Sequence, residues 1–201
     1  MTLADRARRL NPARRPGTPP LLAMSDGTRG VEADQLARTL PAGCAVVLRD
    51  YHHPERRRLA ITAAQLTRQR RLLLLVAGDG RLAALVRANG VHLPEAMLRS
   101  GRLAPLLGWA RTRGWRLTAA CHTMAAVAVA NRLNLDGAVI SPVFPTASHP
   151  GQPAMGPLRF AILARRATCS VYALGGVTQR TLARLRSSGA AGVAAIGGAL
   201  T

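Results

Sequence analysis

At 201 residues and 48% hydrophobic content, the chain suits one domain with a sizeable core and is short for two. Its formal net charge of +19 is carried by arginine alone, and the absence of lysine excludes Schiff-base chemistry. The longest apolar run, Leu72 to Ala77, is far below membrane-spanning length, and three cysteines without paired spacing (Cys44, Cys121, Cys169) argue against a disulfide framework or a zinc site.

In chain order, residues 1–19 read as an Arg/Pro-rich N-terminal arm with one short helix, Leu3 to Leu10, and residues 20–201 as the folded domain. From Leu21 onward, apolar runs of strand length alternate with helix-period segments. The expected strands are Leu21 to Met24, Cys44 to Arg49, Leu72 to Ala77, Val91 to Leu93, Arg116 to Cys121, Gly137 to Ile140, Ser170 to Leu174 and Gly192 to Ile196. Between them fall helices at Glu32 to Leu40, Pro54 to Arg68, Gly80 to Ala88, Leu98 to Thr112, Thr123 to Asn134, Pro157 to Arg166 and Thr178 to Ser187. Continuous apolar strands alternating with helices point to a single-domain α/β fold, a (β/α)8 TIM barrel, with a doubly wound sheet as the alternative. After the last strand too few residues remain for an eighth outer helix. The arm or a second subunit is therefore expected to cover the apolar strip left there.

The arginines are spread over most helices and read as a solvated surface, so no nucleic-acid partner is expected despite the charge. No secretory signal or membrane segment is visible, and a cytoplasmic protein is expected.

Chemistry in such barrels sits just past the C-terminal ends of the strands. His122 ends the fifth strand, where an imidazole serves as general acid or base; the alternative is a hydrogen-bonded structural histidine. Cys121 beside it is not its nucleophile, because adjacent strand residues face opposite sides. Gly175 and Gly176 follow strand seven, and Gly197 and Gly198 follow strand eight, where backbone N–H groups approach a phosphate closely. Thr178 is expected to open a helix whose N-terminus favours the same anion. Arg49, Thr146, Ser148 and His149 are candidate substrate contacts. His92 also ends a strand and could face the mouth. His52 and His53, adjacent and without a carboxylate at ligand spacing, are read as loop residues, and no metal site is assigned.

The segments from His122 to Gly151 and from Tyr172 to Leu200 resemble the thiamine phosphate synthases and the related thiazole tautomerases. The elements that carry the resemblance are His122, Pro142 with Phe144, Pro145 and Thr146, Gly156, Gly175-Gly176-Val177, and Gly189 to Gly192 leading into the last strand. It implies a (β/α)8 barrel, oligomeric, that binds a thiazole phosphate on the last two βα loops. The synthases join that thiazole to a pyrimidine pyrophosphate, with magnesium on the leaving group. This chain departs from their Gln-x-Arg-x-Lys motif, where Val47, Arg49 and Tyr51 stand, and from their Asn-Asp pair, where Ala77 and Gly78 stand with Asp79 one place late. Met97 replaces an aspartate, His149 the loop lysine and Ala120 the serine before His122.

With both metal carboxylates replaced, the resemblance implies an enzyme in which His122 moves a proton on a thiazole carboxylate phosphate, or a residual synthase; the alternative is a noncatalytic ligand-binding barrel. No cofactor is expected, with magnesium needed only for retained synthase chemistry. The partner is a phosphorylated thiazole or thiamine phosphate, and a homo-oligomer is expected.

Overall fold

The computed structural model describes residues 2–11, 17–146 and 153–197. Eight parallel strands close in sequence order: β1 (Leu21–Met24), β2 (Ala45–Leu48), β3 (Leu73–Ala77), β4 (Gly90–Leu93), β5 (Arg116–Cys121), β6 (Gly137–Ile140), β7 (Ser170–Ala173) and β8 (Gly192–Ile196). β8 returns to β1 with Ala194 opposite Leu22, so no edge is left unpaired. Helices between the strands complete the (β/α)8 barrel that the alternating apolar runs imply.

The strands are buried on both faces along most of their length, which is why their runs are largely apolar instead of alternating. The two faces feed two cores. Leu22, Val47, Leu75, Val139, Tyr172 and Ala194 pack inside the barrel, whereas Leu21, Val46, Leu74, Val91 and Ile140 pack outward against helices. Tyr172 is the large member of the inner set, and the strand glycines beside it make its room. A Cβ at Gly137 or Gly192 would lie 3.1 Å from the tyrosine ring.

Six helices follow the strand pattern in the first two thirds of the chain. They are α2 (Ala33–Thr39), α3 (Arg56–Gln69), α4 (Gly80–Leu85), α5 (Glu95–Arg99), α6 (Ala104–Arg113) and α7 (Met124–Arg132); α8 (Gly156–Arg166) comes after β6. The helix expected over Leu98 to Thr112 is thus two helices. Gly101, at φ +70°, breaks the first, and Pro105 in the opening turn of α6 starts the second. The helix expected from Thr178 to Ser187 is reduced to a 3-10 turn, Leu182–Leu185. There the Thr181 hydroxyl donates to the Gly176 carbonyl at 2.9 Å and accepts from the Thr178 N–H at 2.8 Å, local bonds that compete with a helix.

Ahead of the barrel lies α1 (Leu3–Arg8), opened by a capping box. Asp5 N donates to the Thr2 hydroxyl at 3.2 Å and Thr2 N donates to the Asp5 carboxylate at 2.9 Å. Six residues are too few for a helix to persist on its own. Packing holds this one, since Leu3, Ala4 and Ala7 are fully buried where α1 lies on β1 and β8. The outer face beside the last strand is therefore covered by the chain's own N-terminal segment. Among the described residues, no helix is long and apolar enough to cross a membrane.

Candidate active site

A cavity of about 870 Å³ opens over the C-terminal ends of β5 to β8, bounded by the first turns of α7 and α8. That is the size range of small-ligand sites. It contains His122, Thr146, Gly175 and Gly176, four of the residues singled out in the sequence.

His122 reaches the cavity because it shares the inward parity of Thr118 and Ala120 along β5. Its Nδ1 lies 2.9 Å from the Ser141 carbonyl oxygen and, at the longer distance of 3.2 Å, from the Ser141 hydroxyl. A carbonyl only accepts, so Nδ1 carries the hydrogen, and in the neutral ring the lone pair sits on Nε2. The His122 side chain is half exposed, so that lone pair is open to a ligand. Glu95, at the start of α5, fixes the same corner. Its carboxylate accepts the His122 backbone N–H at 2.7 Å and the Thr123 hydroxyl at 3.4 Å, and lies 3.9 Å from Nε2. Thr123 in turn caps α7 by accepting from Ala126 N at 3.1 Å.

The Gly175–Gly176 turn is clamped against the segment after β6. Val143 N donates to the Leu174 carbonyl at 2.9 Å, and Phe144 N to the Gly175 carbonyl at 3.0 Å. Gly176 has φ +61°, and a Cβ there would lie 2.3 Å from the Pro145 carbonyl oxygen, so no other residue fits. The N–H groups of Gly175, Gly176 and Val177 find no acceptor among the described residues and remain available to a ligand. The helix expected to open at Thr178 is absent from the described structure, so any anion affinity here comes from these amides and not from a helix terminus.

Other candidates fall elsewhere. Arg49 is partly buried past the end of β2 and does not line the cavity; Asp50 beside it is taken by the Ser25 hydroxyl and by Gly27 N at 2.7 Å. Arg49 instead acts on His92, which is buried and hydrogen-bonded to the Thr118 hydroxyl at 2.9 Å. Burial, with the Arg49 charge adding to it, pulls the His92 pKa from 6.5 down to about 3, so this imidazole is neutral and structural. Gly197 also lies outside the lining, with a Cβ there 3.2 Å from Val31. Ser148, His149 and Gly198 lie outside the described residues. Cys121 faces the outer core, and burial pushes its thiol up to about 12, which removes it as a nucleophile.

The magnesium that the synthase resemblance implies requires hard oxygen donors. Asp79 is otherwise engaged: Oδ1 accepts Leu82 N at 2.8 Å as the cap of α4, and Oδ2 lies 3.6 Å from Arg56. Ala77, Gly78 and Met97 add no side-chain oxygen, and among the described residues no cluster of three or more His, Cys, Asp or Glu side chains forms. At these positions the described side chains offer magnesium no cluster of oxygen donors.

Sequence reasoning missed Glu95, Ser141 and Arg159. Glu95 had a usable signal, since it stands two residues past the end of β4, at the catalytic face of the barrel. Arg159, which lines the cavity from the first turn of α8, was hidden among many surface arginines.

A family model described as thiamine monophosphate synthase matches residues 24–199. A protein of Aquifex aeolicus (strain VF5), provisionally named thiamine-phosphate synthase 2, is 28% identical over 89% of this chain and 96% of its own length. The thiamine-phosphate synthase of Parasynechococcus marenigrum (strain WH8102) is 33% identical over 82% of this chain, which spans 47% of that relative. Among solved structures, a thiamine phosphate pyrophosphorylase from Pyrococcus furiosus superposes with a TM-score of 0.71 at 21% identity, over 88% of this chain and 84% of that one, a likeness of fold.

Proposed function

Because the chain belongs to the thiamine monophosphate synthase family, we propose that its cavity binds a thiazole phosphate and that His122 moves a proton on the ring. The phosphate is taken by the amides of the Gly175–Gly176 turn. The apolar lining, Leu163, Leu174, Val177 and Ile196, accommodates the ring. His122 Nε2 removes a proton from one ring position and the imidazolium returns it at another, a tautomerisation with no net gain or loss of charge. Glu95, 3.9 Å away, offsets the transient positive charge.

The observation that carries this reading is the Nδ1 contact to Ser141 O, because it leaves Nε2 as the basic nitrogen of a half-exposed ring that lines the cavity. The test is His122→Asn, which keeps a donor for Ser141. In deuterated water, exchange of the ring proton of thiazole carboxylate phosphate, followed by NMR, should slow by about 10²- to 10⁴-fold while affinity changes little. Undiminished exchange would refute the assignment.

A second reading, phosphate-linked transfer of the pyrimidine to the thiazole, is favoured by the names of the relatives. The engagement of Asp79 speaks against it. Formation of thiamine phosphate from the two substrates with magnesium would establish it over tautomerisation.

A further inference from the structure

Along the sequence the arginines are spread over most helices, but the barrel gathers many of them. Its strands are parallel, so the helical connections all run back to the same end, the one opposite the candidate active site. Last-turn arginines of α2, α3, α6, α7 and α8 therefore share that end, among them Arg38, Arg68, Arg111, Arg132 and Arg166. Arg71 and Arg87 add two more in the turns that follow α3 and α4. Both have positive φ, +55° and +52°, a conformation that glycine takes freely and arginine only at a cost. The carboxylates from Asp26 to Glu95 all follow strands or open helices, at the active-site end. Among the described residues of the barrel, Asp136 is the one carboxylate at the arginine end, and it accepts Leu117 N at 2.7 Å. The negative carbonyl ends of the helices explain part of this placing, and Arg68 and Arg70 donate to Val86 O at 3.1 Å and Leu40 O at 3.4 Å. Arg111 and Arg132, by contrast, are exposed and make no hydrogen bond or ion pair among the described residues.

A second cavity, of about 540 Å³, lies within this end, between the last turn of α6 and the starts of β5 and β6. Leu107, Trp115, Leu117 and Leu133 give it apolar walls, and Arg111, Arg116, Asn134 and Asp136 its polar side. Arg113 is held beside it, its guanidinium 5.2 Å from the Trp109 ring centre and 5.6 Å from that of Trp115. Guanidinium groups around an aromatic-lined cleft match a chain of phosphates that carries flat bases. We propose that this end of the barrel binds single-stranded nucleic acid, with its phosphates on the ring of arginines and a base in the cleft. A duplex keeps its bases stacked and an anionic lipid surface has none, so the cleft favours a single strand over either. The surface lies at the opposite end from the candidate active site and stands apart from thiazole phosphate binding.

Fluorescence anisotropy of a labelled oligothymidylate of about 20 nucleotides, titrated with the full chain, tests it. Between about 50 and 200 mM salt the wild type should lose about 100-fold in affinity, the slope for roughly five phosphates on a single strand. Arg111→Gln with Arg132→Gln should weaken binding about tenfold and flatten that slope by about 1.4. Arg57→Gln with Arg81→Gln removes the same charge at the active-site end and should weaken binding less than about threefold. All four arginines are exposed, so both variants should melt with the wild type. Equal losses from the two pairs would show attraction to net charge alone and overturn the site. Equal affinity for a duplex of the same length, or binding only to vesicles containing phosphatidylglycerol, would overturn it too. A wild type that leaves the oligonucleotide unbound at about 50 mM salt would end the proposal, whatever its affinity for thiazole phosphate.

Discussion

Truncating Leu3 to alanine tests whether the N-terminal helix belongs to the barrel. The Leu3 side chain is 0% exposed and packs with Ala4 and Ala7 in the outer core, where α1 lies on β1 and β8. Leu3→Ala removes three carbons from that core, about 2.4 kcal/mol at roughly 0.8 per methylene. A cavity raises the cost, to within the range of about 2–5 kcal/mol seen for buried leucines. A terminal helix can also detach locally, which limits the loss to the energy of docking α1. A loss of about 3 kcal/mol follows, or about 6–12 °C in Tm for a chain of this length. Urea unfolding is the assay, with Leu158→Ala as control because Leu158 is 79% exposed. The midpoint should fall for Leu3→Ala and stay in place for the control. A loss below about 1 kcal/mol for Leu3→Ala would show that α1 does not hold the barrel closed.

Two further outcomes follow from the buried groups. The His92 pKa is lowered from 6.5 to about 3, so the unfolded chain binds a proton that the folded one refuses. Its contribution to stability is present above pH 6.5 and is lost as the pH falls from there toward 3, on the order of 2 kcal/mol between pH 7 and pH 5. His92→Gln should flatten that part of the stability profile, and an unchanged slope would contradict the assignment. Gly176→Ala places a Cβ 2.3 Å from Pro145 O at φ +61°. The left-handed backbone alone costs about 1–2 kcal/mol. Melting should fall and affinity for a phosphate ligand drop in the same variant; a variant with wild-type melting would show that the turn relaxes freely.

Much of the barrel was legible because its strands are short, continuous apolar runs spaced by helices, and burial on both faces forces that pattern into the sequence. Helix limits were read less well for reasons that are local. Gly101 and Pro105 sit inside one apolar-periodic stretch that the chain divides, and the hydroxyls of Thr178 and Thr181 bond to nearby backbone where a helix was expected. Within the site, His122 and the Gly175–Gly176 turn could be found from strand ends and glycine pairing. Glu95 carried a positional signal two residues past β4 that went unread, Ser141 could not be found because it acts through a contact made by a separate βα unit, and Arg159 could not because composition makes arginine uninformative here.

The amino-acid sequence by itself determined the alternation of strands and helices and the place of His122 and the glycine pairs at strand ends, since each depends on local periodicity, whereas the closed sheet order and the contact that makes glycine obligatory at 176 came from the fold. Tertiary structure alone decided which of these residues share a cavity. Closing the barrel brings β5 to β8 together over one mouth with His122, Thr146 and the amide turn, and leaves Arg49 beside buried His92. The reason is physical: distance across a barrel depends on closure and on hydrogen bonds between distant segments, such as Met155 to Pro142 and Phe144 to Gly175, and no window along the chain contains both partners of such a contact.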